Sequence, residues 1–190
     1  MLEEQRNTLA PDDWTNAALA AIAEGGTGRV AVEALARELG TTKGSFYWHF
    51  KNRDALVEAA LARWEETDAR EIDERAAGIS DPRERLRDLF AAAFGNPGAG
   101  RIEASLLADG RRPAVAATLG RVTARRLEAT AEMFSQLGFG LKAAHSRALV
   151  AYSAYLGLFA VGQADPNAVR ERGAALGEFV EELLDLLTRV

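Results

Sequence analysis

Cysteine is absent from the 190 residues, and histidine occurs only twice. Without thiols there is no disulfide scaffold, no thiolate metal site and no cysteine nucleophile, and two imidazoles are too few for a His-rich metal centre. Neither a metal nor another cofactor is expected. There are five prolines, and no stretch alternates apolar and polar residues as a half-buried strand does. No apolar run approaches the roughly 18 residues of a membrane span. The opening segment, Met1 to Trp14, is acidic and polar, unlike a signal or transit peptide. A cytoplasmic protein with no membrane partner is expected. A surplus of positive charge is missing too, since the formal net charge is -5. That argues against a nonspecific nucleic-acid coat. It does not exclude a local DNA site, because binding depends on where the charge sits.

What is present is helix-forming. Ala, Leu, Arg and Glu dominate, all residues that lose little on entering a helix, and short Gly, Pro and Asp clusters punctuate the chain. The spacing predicts an all-α protein of about nine helices. The first opens at Pro11, a residue suited to the first helical position, and ends at Gly25-Gly26. Two short helices follow, Val32 to Leu39 and Lys43 to Phe50, with Gly40 between them. A long one runs from Arg53 to about Ala77. Asp81-Pro82-Arg83-Glu84 starts the fifth with a capping residue, a first-turn proline and an acid at the capping-box position. The run Gly95 to Gly100 predicts a break before a short helix, Arg101 to Ala108. Three longer helices complete the chain: one to Leu137, one from Leu141 to Gln163, and one from Pro166 to Arg189.

The informative stretch lies between Val30 and Leu56. Two short helices are joined by the tight turn Leu39-Gly40-Thr41-Thr42, the spacing of a helix-turn-helix whose second helix can enter a major groove. Residues 41–53 hold Lys43, His49, Lys51 and Arg53 and no acid, although residues 1–56 as a whole carry six basic and eight acidic side chains. Positive charge is therefore concentrated on the turn and the second helix. Phe46 and Phe50, four apart, are expected to face inward. Ser45, Tyr47, Trp48 and His49 are an unusual cluster for a helix surface. They are either a packed aromatic corner or a surface offered to a partner.

With Ala18, Gly25, Leu35-Ala36, Gly40, Lys43-Gly44-Ser45-Phe46-Tyr47-Trp48-His49-Phe50-Lys51-Asn52-Arg53 and Leu56 in place, residues of about 10–60 resemble the TetR-type, tetracycline-repressor-like bacterial transcription regulators. The resemblance implies a DNA-binding head over residues 1–52 and a ligand-binding and dimerisation unit over 53–190. It implies that Thr42, Lys43 and Ser45 face base edges and phosphates and that Gly44 allows close backbone approach. Tyr47, His49 and Lys51 would contact phosphate, and Trp48 would pack on sugar or a thymine methyl. Three positions depart from the pattern: Ala10 and Ala31 replace capping hydroxyl residues, and Glu33 is acidic where the helix would face the DNA backbone. Modest affinity with a steep salt dependence is expected.

In the last helix Val169, Gly173, Leu176, Val180, Leu183 and Leu187 recur at alternating spacings of four and three, as in a coiled-coil seam. The segment before it, Leu149 to Val161, is apolar nearly all round, which requires burial on more than one side. The resemblance implies a four-helix dimer interface from these two helices, and the seam residues are the candidates for it. The middle helices are then the sensor for a small, apolar or aromatic effector. Phe90, Phe94, Leu106, Leu107, Leu119, Val122, Met133 and Phe134, facing Tyr152, Tyr155 and Phe159, are candidate lining. Thr123, Arg126, Thr130 and Ser153 are candidate polar orienters.

Catalytic signatures are lacking. No phosphate loop follows a strand and no Gly-x-Ser-x-Gly elbow occurs. The acidic pairs Glu65-Glu66 and Glu181-Glu182 are adjacent along helices and so point apart. Two functions stay open: a DNA-binding regulator, in the first instance a repressor released from its operator by a small ligand, and a helical ligand-binding or adaptor dimer without specific DNA binding, to which Ala31 and Glu33 would belong.

Overall fold

The computed structural model of the chain describes residues 9–165, 167–168 and 176–189. Among these, all regular structure is helical. Helix α1 spans Pro11–Gly25, and a single 3-10 turn, Thr27–Arg29, leads to α2, Val32–Glu38, and α3, Lys43–His49. Helices α4, Arg53–Gly78, and α5, Pro82–Gly95, follow, then α6, Pro97–Ala108, and α7, Pro113–Gln136. Helix α8 spans Leu141–Ala164 and α9 Leu176–Thr188. The expected caps are in place. Asn52 accepts from the Ala55 amide at 2.8 Å, and Asp81 accepts from the amides of Arg83 and Glu84. At α1 the missing hydroxyl cap is offset by Asp13, whose carboxylate accepts from the Ala10 amide at 2.7 Å.

The expected start of the last helix, Pro166, lies outside the described residues, and among these one boundary differs from expectation. The run Gly95 to Gly100 does not break the chain until Arg101, because α6 already begins at Pro97. Proline suits a first helical position, and the Asn96 side chain accepts from the Gly98 amide at 3.2 Å. Gly100 is a packing glycine and not a breaker. A methyl group there would lie 1.9 Å from Cζ of Phe159, so α6 and α8 touch where no side chain intervenes.

The buried residues form two clusters. The first joins α1 to α4 around Trp14, Ile22, Leu35, Phe46, Leu56 and Leu61, and it takes in Leu106 of α6 and Val115, Leu119 and Val122 of α7. The second joins α5 and the C-terminal half of α7 to α8 and α9 around Leu86, Phe90, Phe134, Tyr155 and Leu184. Helix α4 belongs to both regions, with Trp64 in the first core and Ile72 against a cavity beside the second. The head is thus seated on α6 and on the first turns of α7. The two regions are also latched by polar groups. Asp109, just after α6, accepts from the amide and hydroxyl of Thr27, both at 2.6 Å. Arg53 at the start of α4 donates to the carbonyl oxygens of Val30 and Thr27. Gly26 lies between, with φ of 77° and the Asp109 carboxylate where a side chain would be.

Candidate functional site

The turn between α2 and α3 is built as the sequence suggests. Gly40 sits at φ of 64°, a conformation that side chains disfavour. Thr42 then caps α3, its hydroxyl oxygen accepting from the Ser45 amide at 3.4 Å. Phe46 and Phe50 face inward. Phe46 packs edge-on against Trp14 at 5.4 Å and stacks with Phe50 at 5.7 Å. This core fixes the outward direction of everything else on α3. Trp48 is 88% exposed and Tyr47 56%. Thr42, Lys43, Gly44 and Lys51 are exposed as well, while Ser45 and His49 are half-buried. The aromatic cluster therefore divides: the phenylalanines are core, and the tyrosine and tryptophan stand on the surface. A methyl group on Gly44 would meet only Thr42 Oγ1, at 3.5 Å, so nothing within the chain requires glycine there. Glu33 does not stand bare on α2. It accepts from Lys43 Nζ, and this bond lowers the Glu33 pKa and raises that of Lys43. Arg53, the fourth cation of the segment, is committed to the carbonyls of Val30 and Thr27.

The second feature is a cavity of about 180 Å³ between α4, α5, α7 and α8. Of the residues expected to line it, Phe90, Phe94, Arg126, Tyr152 and Tyr155 do, together with Thr130 and Met133. Leu107, Val122 and Phe134 do not. Leu107 lies one residue round α6 from the buried Leu106 and is exposed. Val122 faces the head with Val115, Leu119 and Leu106, because the first half of α7 packs there. Phe134 is buried against Phe139, at 6.1 Å, rather than beside the cavity. Ser153 is exposed on the outer side of α8, and Thr123 reaches the site only through the Tyr152 hydroxyl, at 3.0 Å.

Two carboxylates at this site escape sequence reasoning. Asp68 on α4 is 9% exposed and Glu103 on α6 fully buried. Arg126 donates to Asp68 Oδ1 through Nε and Nη2, at 2.8 and 2.6 Å, and to Glu103 through Nη1. Tyr152 donates to the other Glu103 oxygen. Arg126 also lies over the Tyr155 ring, its Cζ 5.6 Å from the centroid. Burial works against the guanidinium charge, but Glu103 and Asp68 outweigh it and raise its pKa. Burial pushes the Tyr152 hydroxyl up to about 12, and it pushes up the Asp68 carboxyl against the pull of Arg126. No local pattern announces this network, because its hydrogen-bonded partners lie 23 to 58 residues apart.

The outer seam also needs correction. Val180 and Leu187 of α9 are buried in their own core with Leu184, and Leu176 and Leu183 are half-buried against it. The α9 seam turns inward because it covers α5, where Arg87 pairs with Glu181 and Arg83 with Asp185. Val169 and Gly173 lie outside the described residues. The apolar side chains that do face outward are Leu141, Leu149, Val150 and Val161 of α8 and Leu186 of α9.

Among the described residues no group of His, Asp and Glu is arranged to hold a metal ion, and no helix is long and apolar enough to cross a membrane. Residues 15–60 match the family model of bacterial regulatory proteins, tetR family. No curated protein is significantly similar in sequence. Solved structures are similar over nearly the whole chain. A TetR-family transcriptional regulator from Agrobacterium tumefaciens superposes with a TM-score of 0.79 at 19% identity, covering 94% of this chain and 97% of that one. A transcriptional regulator from Rhodococcus sp. Rha1 gives 0.74 at 18%, covering 95% and 94%. A regulator from Saccharomonospora viridis in complex with choline gives 0.75 at 19%, covering 93% and 94%. The head, residues 15–60, is thus similar to bacterial regulatory proteins of the tetR family, and the chain shares the fold of these solved regulators along nearly its full length.

Proposed function

We propose that the protein is a homodimeric, sequence-specific DNA-binding repressor released from its operator by a small ligand held between α4, α5, α7 and α8. The observation that carries the DNA reading is the outward face of α3. A tryptophan 88% exposed on a helix whose other face is a packed aromatic core has no role within the chain. Thr42, Lys43, Ser45 and Gly44 at its start would meet bases and backbone, and Tyr47, Trp48, His49 and Lys51 would meet phosphate and sugar. Arginine and lysine contacts to phosphate position such a helix, and base-edge contacts specify the sequence. The pairing of Glu33 with Lys43 speaks against the adaptor alternative, since the acid is held by a partner within the head.

Dimerisation is assigned to the outward faces of α8 and α9. Val150, Gly157 and Val161 fall on one side of α8, and nothing among the described residues lies within 4 Å of a methyl group on Gly157. A second subunit would bury this face and set the two α3 helices for half-sites about 34–36 Å apart or a multiple. The ligand would act through α6, which holds Glu103 at the cavity network and leads into Asp109, bound to Thr27 of the head. By linkage it must bind the DNA-incompetent arrangement better, and DNA must weaken ligand binding by the same factor. The test is titration of purified protein onto the intergenic region beside its own gene at low and moderate salt. Salt-sensitive binding to a short two-fold site, abolished in Lys43→Ala/Tyr47→Ala with the fold intact, is expected. No specific binding at either salt would overturn the repressor reading.

A further inference from the structure

The cavity carries more information than its apolar walls. Asp68 spends both hydrogen bonds from Arg126 on Oδ1, and its Oδ2 is buried with no hydrogen-bond partner. Buried polar atoms are nearly always partnered, so an orphaned carboxylate oxygen in a cavity wall marks a place where something else belongs. The charges agree. Asp68 and Glu103 share the single guanidinium of Arg126, and both Glu103 oxygens are already occupied, by Arg126 and Tyr152. Arg125 also acts on Asp68, but it is exposed and its pull is the weaker. The buried cluster is thus one positive charge short, and the shortfall sits at Asp68 Oδ2. Burial first, and then the neighbouring Glu103, raises the Asp68 pKa against the pull of Arg126.

The wall also holds Glu71 and Arg75, the arginine paired with Asp88, and its aromatic part suits a cation. Phe90, Phe94, Tyr152 and Tyr155 line the cavity, and aromatic faces attract cations. Tyr155 already holds the Arg126 guanidinium over its ring. Size limits the occupant. An apolar cavity of about 150 Å³ takes up benzene, so one of about 180 Å³ holds a single ring or branched alkyl group with a short arm. We propose that the effector site recognises a small organic monocation, an aromatic or branched alkyl ammonium whose N–H groups donate to Asp68 Oδ2 while its carbon skeleton lies among Phe90, Phe94 and Tyr155. This deepens the ligand-released reading and rests on it, but its chemistry is separately testable.

The probes are benzylamine, benzyl alcohol and benzoate, which share size and ring and differ in charge. Their affinities for the full-length dimer are measured by ligand-observed NMR at neutral pH. Benzylamine is expected to bind at least tenfold tighter than either of the others. In Asp68→Asn, whose fold is checked by circular dichroism, that preference is expected to fall to within twofold. Equal affinity for amine and alcohol in the unmodified protein, or a preference for benzoate, overturns the cation assignment without touching the regulator. So does a preference for benzylamine that Asp68→Asn leaves unchanged, and so does the absence of binding by all three probes. The ranking in the unmodified protein decides the matter even if the variant does not fold. The ligand-released reading is tested apart from this by adding benzylamine to the operator complex. Binding in the cavity with no release at saturation would overturn that reading and leave the assignment of ligand class standing.

Discussion

Trp48 shows how one residue separates function from stability. Its side chain touches solvent over most of its surface, whereas Phe46, two positions earlier, is fully buried. Trp48→Ala should change thermal stability by no more than about 0.5 kcal/mol, as surface substitutions do. It should weaken operator binding about tenfold, read by parallel melts and DNA titrations. Gly26 is the opposite case. Gly26→Ala forces a side chain onto φ of 77° and into the Asp109 carboxylate, at a cost of about 1–3 kcal/mol. Asp109 itself is held below the usual carboxylate value of 3.8 because the Thr27 hydroxyl and amide donate to it, with Arg112 and Arg53 nearby. A carboxylate depressed in the folded state adds stability that is complete above about pH 4 and lost as pH falls through its folded value. The stability difference between the unmodified protein and Asp109→Asn should therefore be constant near neutrality and shrink on acidification, as measured by urea unfolding across pH.

Helix α6 shows what local pattern does and does not reveal. Pro11, Asp81-Pro82 and Gly40 each mark a boundary by their own backbone chemistry, and the helices start or stop there. Gly100 carries the same letter with another cause, the approach of the Phe159 ring, which lies 59 residues on in the sequence. Helical period tells which face of α7 is apolar. It does not tell that Val122 faces the head and Met133 the cavity, because that depends on which helices cross it. Asp68 and Glu103 look like ordinary solvated acids on helices, and only the packing of α4, α6 and α7 brings them to Arg126. Gly100→Ala should lose about 1–3 kcal/mol through overpacking. Most of that loss should be recovered when Phe159→Ala is combined with it, a coupling that a double-mutant cycle reads directly.

For the whole molecule the proposed assembly rests on the outward face of α8. A charge at an exposed apolar position leaves the subunit's own core alone and blocks burial against a second copy. Val150→Glu should therefore sediment as a folded monomer and lose binding to a two-fold operator far more than to a half-site. If it remains dimeric, the interface lies elsewhere. The resemblance of the head, together with the lack of strand-like patterns, made the helical architecture and the outward-facing α3 legible in advance. The orientation of α9 was not legible, since a seam at alternating spacings of four and three serves an internal partner as well as an external one, and α5 takes it.

If α3 binds DNA as proposed, the pairing of Lys43 with Glu33 changes what that binding costs in ions. A free lysine that reaches a phosphate displaces a condensed cation from the DNA, each such contact adding about 0.9 to the logarithmic salt slope. Lys43 instead leaves one anion for another, and Glu33, exposed on α2, must find a cation from solution. The contact then yields little net counterion release. On the proposed function, Glu33 would serve as a phosphate surrogate carried by the protein, competing with the operator and softening the response to ionic strength. Glu33→Gln should tighten binding at low salt and steepen the slope by nearly one.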